Sequence, residues 1–242
     1  MSDLNKKLAF ITGAGRGIGA ATAKRFAQEG MNLALVSRSA QQLRELKKGI
    51  QQDFKDLEIL CLPADISKQN EILKVFEEIT NHFGSLDVLV NNAGVIWVKD
   101  FEKMSVQEWD ETMAVNLRAL FFTCQKAIPL MKKAGAGSII NISSLAGIQG
   151  LQKFRGFSAY TASKMGVVGL TEVLSEELKE EGIRVNCVAP GAVDTQMLRT
   201  ALPGLKTSTK PEDIAEEILY FADTASCQGA TGVIKELRNV PA

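Results

Sequence analysis

The chain has one histidine, four cysteines and no net charge, and each scarcity closes off a class of function. Lysine plus arginine and aspartate plus glutamate both number 28, so no basic field exists to hold a nucleic-acid backbone and no polybasic anchor to hold a membrane. Cys61, Cys124, Cys187 and Cys227 are scattered, without a Cys-x-x-Cys pair and with only His82 to join them. That pattern predicts neither a disulfide framework nor a metal site, and leaves the thiols reduced and mostly buried. No apolar run reaches the length of a membrane span, and the opening Met-Ser-Asp-Leu-Asn-Lys-Lys lacks a signal-type apolar region. The expected location is the cytoplasm. A linker is missing too. The longest polar stretch with proline and glycine, 202–212, is too short to separate two units, so residues 1–242 read as one domain and that stretch as an active-site loop.

What is present is an alternation of short apolar runs with longer amphipathic segments. Residues 8–12, 32–37, 58–62, 87–90, 138–142, 184–189 and 232–237 read as strands, several of them continuously apolar as in a sheet covered on both faces. Helical periodicity falls between them near 17–30, 41–54, 68–83, 105–133, 158–181 and 211–223. The order predicts an α/β fold: a doubly wound, Rossmann-like parallel sheet of about seven strands with helices on both faces. Ligands on such a sheet bind outside the carboxyl ends of the strands. Residues 12–19, 37–38, Asp65, 91–94, 143–144 and 190–195 all follow predicted strands, so the unusual residues gather at one edge.

Two motifs there require each other. Gly13-x-x-x-Gly17-x-Gly19 follows the first strand and opens a helix. Ile18 takes the place of the last glycine in the general dinucleotide fingerprint, but the mechanics are alike: a tight turn, close backbone approach to phosphate, and a helix N-terminus behind it. Tyr160 and Lys164, four apart in a predicted helix, share a face, where an ammonium is expected to lower the phenol pKa and let it move a proton near neutral pH. Cofactor choice follows from charge. Ser37 and Arg38 stand at the end of the second strand, where a carboxylate would select NAD, and Arg16 adds a second guanidinium, so NADP(H) is the expected cofactor.

Read in order, Gly13-x-x-x-Gly17-x-Gly19, Asn91-Asn92-Ala93-Gly94, Asn116, Ser144, Tyr160-x-x-x-Lys164 and Pro190-Gly191 closely resemble the short-chain dehydrogenase/reductase family over nearly the whole chain, in the style of 3-oxoacyl-[acyl-carrier-protein] reductases and related carbonyl reductases. The resemblance implies a catalytic tetrad of Asn116, Ser144, Tyr160 and Lys164. In it Tyr160 protonates a carbonyl, Ser144 hydrogen-bonds the same oxygen, Lys164 tunes the tyrosine and contacts the nicotinamide ribose, and Asn116 holds a water leading to solvent. Ser143 is the rival to Ser144. The resemblance also places Asp65 and Ile66 near the adenine, Asn91 and Gly94 along the cofactor and Thr195 near the carboxamide, with Ala93, Pro190, Gly191 and Val193 as further cofactor-binding residues. For Asp65 and Thr195 a helix-capping role is the alternative.

Two features depart from the family pattern. Ser144 and Tyr160 are sixteen positions apart, with the extra residues in 151–157 beside the expected substrate pocket. The segment from Thr195 to Pro211 is short, and the chain ends without the frequent Asp-Gly-Gly. Substrate loops are expected near 145–158 and 192–210. The implied activity is NADPH-dependent reduction of a 3-oxoacyl thioester, small ketone or aldehyde. The alternatives are an NADP-dependent alcohol or hydroxy-acid dehydrogenase and, in another class, a catalytically silent nucleotide-binding scaffold. The implied assembly is a homotetramer, with a dimer as the alternative.

Overall fold

The computed structural model describes residues 4–238. Seven parallel strands form one sheet in the order β3-β2-β1-β4-β5-β6-β7. They are β1 Leu8–Thr12, β2 Asn32–Ser37, β3 Ile59–Pro63, β4 Val88–Asn91, β5 Gly137–Ile142, β6 Ile183–Pro190 and β7 Ile234–Leu237. All seven match the expected runs to within two residues at each end. The central strands β1, β4 and β6 are buried along their whole length, which is why they read as unbroken apolar runs.

Eight α-helices cover the sheet: α1 Gly17–Gln28, α2 Ala40–Asp53, α3 Gln69–Phe83, α4 Val106–Met113, α5 Ala119–Ala134, α6 Ser158–Leu178, α7 Gln196–Ala201 and α8 Pro211–Ala222. One face packs against α1, α2 and α8 through Phe26, Leu43, Ile50, Ile214 and Phe221. The other packs against α3, α5 and α6 through Ile72, Phe76, Leu120, Met131 and Val167. There the Phe76 ring meets Phe10 of β1 edge-on at 5.3 Å. The strand order reverses between β1 and β4, which are hydrogen-bonded neighbours, so a crevice opens at their carboxyl ends.

Three local features differ from the sequence reading. The helix expected over 105–133 is divided: Ser105 starts α4 with a capping box to Glu108, and a π-helical turn over Ala114–Arg118 separates α4 from α5. The helix expected to reach residue 181 leaves α-geometry after Leu178 and closes as a 3₁₀ turn at Gly182, whose φ of 69° suits glycine. The third is α7, a short helix inside a segment read as loop. The chain end at 239–242, where the family's frequent ending is missing, lies outside the described residues.

Candidate active site

The glycine turn after β1 is built by exclusion of side chains. Gly13 and Gly17 have φ of 66° and 57°, which L side chains rarely adopt. A Cβ on Gly13 would lie 2.8 Å from the Ala93 Cα, and one on Gly19 would lie 2.4 Å from the Gly13 carbonyl oxygen. No side chain caps α1, so its first N–H groups point from a positive dipole end into the crevice. These features fit a diphosphate. Ile18 differs in kind, since its side chain packs on the core beneath the turn.

Thr12 and Asn92, neither of which sequence reasoning singled out, tie this turn to the β4 loop. The buried Thr12 hydroxyl accepts the N–H groups of Asn92 and Ala93 at 3.0 and 3.1 Å. The Asn92 amide in turn donates to the carbonyls of Thr12 and Gly13 at 2.9 and 3.2 Å. Asn91 is committed elsewhere: its side chain donates to Asn141 on β5 at 2.9 Å and accepts from Thr123 at 2.6 Å, inside the core. The Asn91 side chain thus braces the sheet, and the residue lines a small cavity shared with Ala93, Asn116 and Lys164.

At the end of β2, Ser37 donates to the Ser39 carbonyl and Arg38 is exposed. Burial would raise the Asp65 carboxyl, but the hydrogen bonds from Ser67, with the charges of Lys68 and then Arg38, outweigh it and hold the group below the usual carboxylate range. Asp65 accepts from the Ser67 amide and hydroxyl at 3.0 and 2.7 Å, a local turn-forming role. The guanidinium of Arg16, in the glycine turn, donates to Gln196 of α7 at 2.6 Å.

The reacting groups stand beyond β5. Strand alternation turns Ser143 inward, where its hydroxyl is buried and donates to the Lys164 carbonyl at 2.8 Å. Ser144 remains partly open, near enough to the Tyr160 phenol to act on its pKa, and accepts from the Ala146 amide at 3.2 Å. Between the adjacent serines, this leaves Ser144 as the one facing the tyrosine. Lys164 is buried, with Nζ donating to the Ile142 carbonyl at 2.7 Å and standing 5.8 Å from the Tyr160 ring centroid.

Here a sequence expectation reverses. Burial raises the Tyr160 pKa, the Ser144 hydrogen bond opposes it, and burial wins. Burial also lowers Lys164 to about 8, with Cys187 opposing. Lys164, its Nζ held by the Ile142 carbonyl, does not offset that rise at the phenol.

Asn116 sits in the π turn, a distortion frequent at functional sites. Its side chain accepts the Val95 N–H at 2.8 Å and donates to the Val95 carbonyl and the Ser163 hydroxyl, both at 3.0 Å. Gly94 lies between it and the lysine: a Cβ there would stand 3.5 Å from Asn116 Oδ1 and 3.7 Å from Lys164 Nζ. A cavity of about 10 Å³, the size of one water, is lined by Asn116, Lys164, Thr12, Thr123 and Ile66. At the far side of the crevice, Pro190 ends β6 and the Gly191 N–H donates to Leu237. The Val193 side chain is buried in the core, so only its backbone is left to face the crevice. Thr195 takes its capping alternative, accepting the Leu198 N–H at 3.2 Å as N-cap of α7.

Residues 7–205 match the short chain dehydrogenase family. The chain belongs to that family. It is 33% identical over 220 residues to an uncharacterized oxidoreductase of Staphylococcus aureus, covering 91% of this chain and 92% of the relative. An uncharacterized oxidoreductase of Staphylococcus saprophyticus matches with the same identity and coverage. Among solved structures, the crystal structure of levodione reductase superposes with a TM-score of 0.89 at 29% identity, covering 97% of this chain and 96% of that one. This short-chain dehydrogenase is an oxidoreductase of the NAD(P)(H)-using type. Among the described residues no cluster of three or more metal-ligating side chains occurs, and no helix is long and apolar enough to cross a membrane.

Proposed function

We propose that this enzyme reduces a carbonyl, that of a 3-oxoacyl thioester, small ketone or aldehyde, to an alcohol with NADPH. The observation that carries the reading is the meeting of Tyr160, Ser144 and Lys164 at the sheet edge that also holds the glycine turn. When bound, the nicotinamide supplies hydride. The chain's own residues do the rest: Ser144 and Tyr160 hold the carbonyl oxygen, and the Tyr160 hydroxyl, protonated at neutral pH as a phenol ordinarily is and held more so by burial, gives its proton to that oxygen. Asn116 fixes the Val95 backbone beside them, and the water-sized cavity next to Lys164 offers a path for the replacement proton. The same groups run in reverse would oxidise an alcohol.

NADPH is favoured by the exposed Arg38 beside Ser37, with no carboxylate at the end of β2 to repel a 2′-phosphate. Levodione reductase is named for reducing a carbonyl compound, which agrees with this direction. Four unpaired cysteines suit a reducing compartment, and the reading places the enzyme in the cytoplasm. Apolar residues exposed on α4, α5 and α6, namely Val106, Phe121, Met165 and Val173, support assembly through these helices into a dimer or tetramer. The test is a panel of β-ketoacyl thioesters, small ketones and aldehydes with each cofactor. NADPH-dependent turnover is expected, and its absence across the panel by a folded, cofactor-binding protein would overturn the reading.

A further inference from the structure

On the carbonyl-reductase reading above, α6, which carries Tyr160 and Lys164, must keep one position along the sheet. Apolar contact sets how far α5 and α6 stand from the strands but has no direction along them. One row of the layer between is polar instead. Asn91 of β4 and Asn141 of β5 are paired positions on adjacent strands. The Thr123 hydroxyl of α5 donates to Asn91 Oδ1 at 2.6 Å, the Asn91 amide donates to Asn141 Oδ1 at 2.9 Å, and the Asn141 amide donates to the Thr171 hydroxyl of α6 at 3.0 Å. None of the four is more than 5% exposed. The next paired positions on the same face, Leu89 and Ile139, are apolar. A polar row in such a layer adds little stability over an apolar one, because its groups must first be taken out of water. What its bonds have, and apolar contact lacks, is a required distance and angle.

The ends of the row fall at matched places. Thr171 lies seven residues after Lys164, two turns along the same face of α6. Thr123 lies seven residues after Asn116, beyond the π turn. Asn91 and Thr123 also line the water-sized cavity beside Asn116 and Lys164, so the row adjoins the site. Lys164 itself is tied to the two residues that follow Asn141: its Nζ donates to the Ile142 carbonyl at 2.7 Å, and its carbonyl accepts from the Ser143 hydroxyl at 2.8 Å. Three consecutive residues therefore hold α6 at two points, and the bond from Asn141 to Thr171 is the one remote from the chemistry. We propose that the row is a crossbar between α5 and α6, and that Asn141 and Thr171 are positioning residues, which touch no reacting group and hold Tyr160 and Lys164 in place through the register of α6 on β5.

The test is the double variant Asn141→Leu/Thr171→Val. It removes the tie without stranding a donor, since the Asn91 side chain keeps Thr123 and the Cys124 sulfur at 3.3 Å. Exchanging both partners for apolar groups should leave Tm near that of the wild type. For a ketone that the wild type reduces, kcat should nevertheless fall at least ~10-fold, because misplacing reacting groups by on the order of 1 Å can cost ~100-fold. NADPH should still bind, since the glycine turn is braced by Thr12 and Asn92, outside the row. Thr171→Ser, which keeps the hydroxyl, should retain the wild-type kcat, and Thr171→Val should not. A folded double variant with wild-type kcat would overturn the proposal. So would equal kcat in Thr171→Ser and Thr171→Val, the comparison that decides if the double variant does not fold. Loss of NADPH binding in step with kcat would also overturn it, by reducing the row to general support of the fold. A wild type that binds NADPH but turns over nothing in the carbonyl panel would instead remove the carbonyl-reductase reading, and this proposal with it.

Discussion

Thr12→Val isolates the brace beneath the glycine turn. The replacement keeps the shape of a side chain that is 2% exposed and deletes the oxygen that accepts the Asn92 and Ala93 N–H groups at 3.0 and 3.1 Å. Each buried donor left without an acceptor costs about 1–3 kcal/mol. The Asn92 N–H keeps the Val90 carbonyl at 3.2 Å, so the Ala93 N–H is the donor left without an acceptor, and its cost is reduced by the gain from replacing a hydroxyl whose own donation to Val90 is long, at 3.4 Å. A net loss of about 1–3 kcal/mol is expected, lowering Tm by roughly 2–10 °C for a chain of this size. Because Ala93 abuts Gly13, the NADPH Kd should also rise, by about tenfold if 1.4 kcal/mol of the distortion falls on the turn. The control is Thr112→Val. That hydroxyl is equally buried but donates only to the Glu108 carbonyl in its own helix, so no N–H depends on it, and its loss should cost less than about 1 kcal/mol. Urea unfolding followed by circular dichroism, with NADPH fluorescence titration, measures both quantities. Equal stability losses in the two variants, or an unchanged Kd in a destabilised Thr12→Val, would refute the bracing argument.

Gly19→Ala should leave the sheet intact but weaken NADPH binding more than about tenfold, because its Cβ would press on the Gly13 carbonyl; unchanged binding by titration would contradict the geometry. Arg38→Ala should lower the NADPH/NADH ratio of kcat/KM by roughly 10–150-fold, the value of one charge-assisted contact of about 1.5–3 kcal/mol, and an unmoved ratio removes Arg38 from the cofactor site. Lys164 carries its charge below its lowered pKa of about 8 and loses it above, so kcat/KM for NADPH should fall as pH rises through that value. Lys164→Met should abolish this inflection, and an identical profile in the variant would assign the inflection to another group.

The sheet was legible because buried parallel strands are apolar on both faces, and no alternation confuses the reading. The π turn was not, since apolar periodicity runs unbroken from Trp109 to Met131 and only the bonds of Asn116 to Val95 and Ser163 show where the helix yields. Motif spacing placed Tyr160, Lys164 and Ser144 together, but it carries no direction for a side chain. Arg16 turns to Gln196, Asn91 to Asn141, and Val193 into the core, directions that the motif spacing leaves open. The tyrosine pKa went astray for a related reason: four residues of separation suggest a neighbouring charge but not the depth of burial, and here burial dominates. Thr12 and Asn92 carried a signal in hindsight, as polar residues at the ends of strands otherwise apolar.

The most direct test of the account is Tyr160→Phe, which keeps the ring against Phe157 and removes the transferable proton. The variant should fold, bind NADPH as the wild type does, and lose at least ~100-fold in turnover of a ketone that the wild type reduces. A folded, cofactor-binding Tyr160→Phe enzyme that retains most of that turnover would contradict the mechanism, and with it the roles given to Ser144 and Lys164.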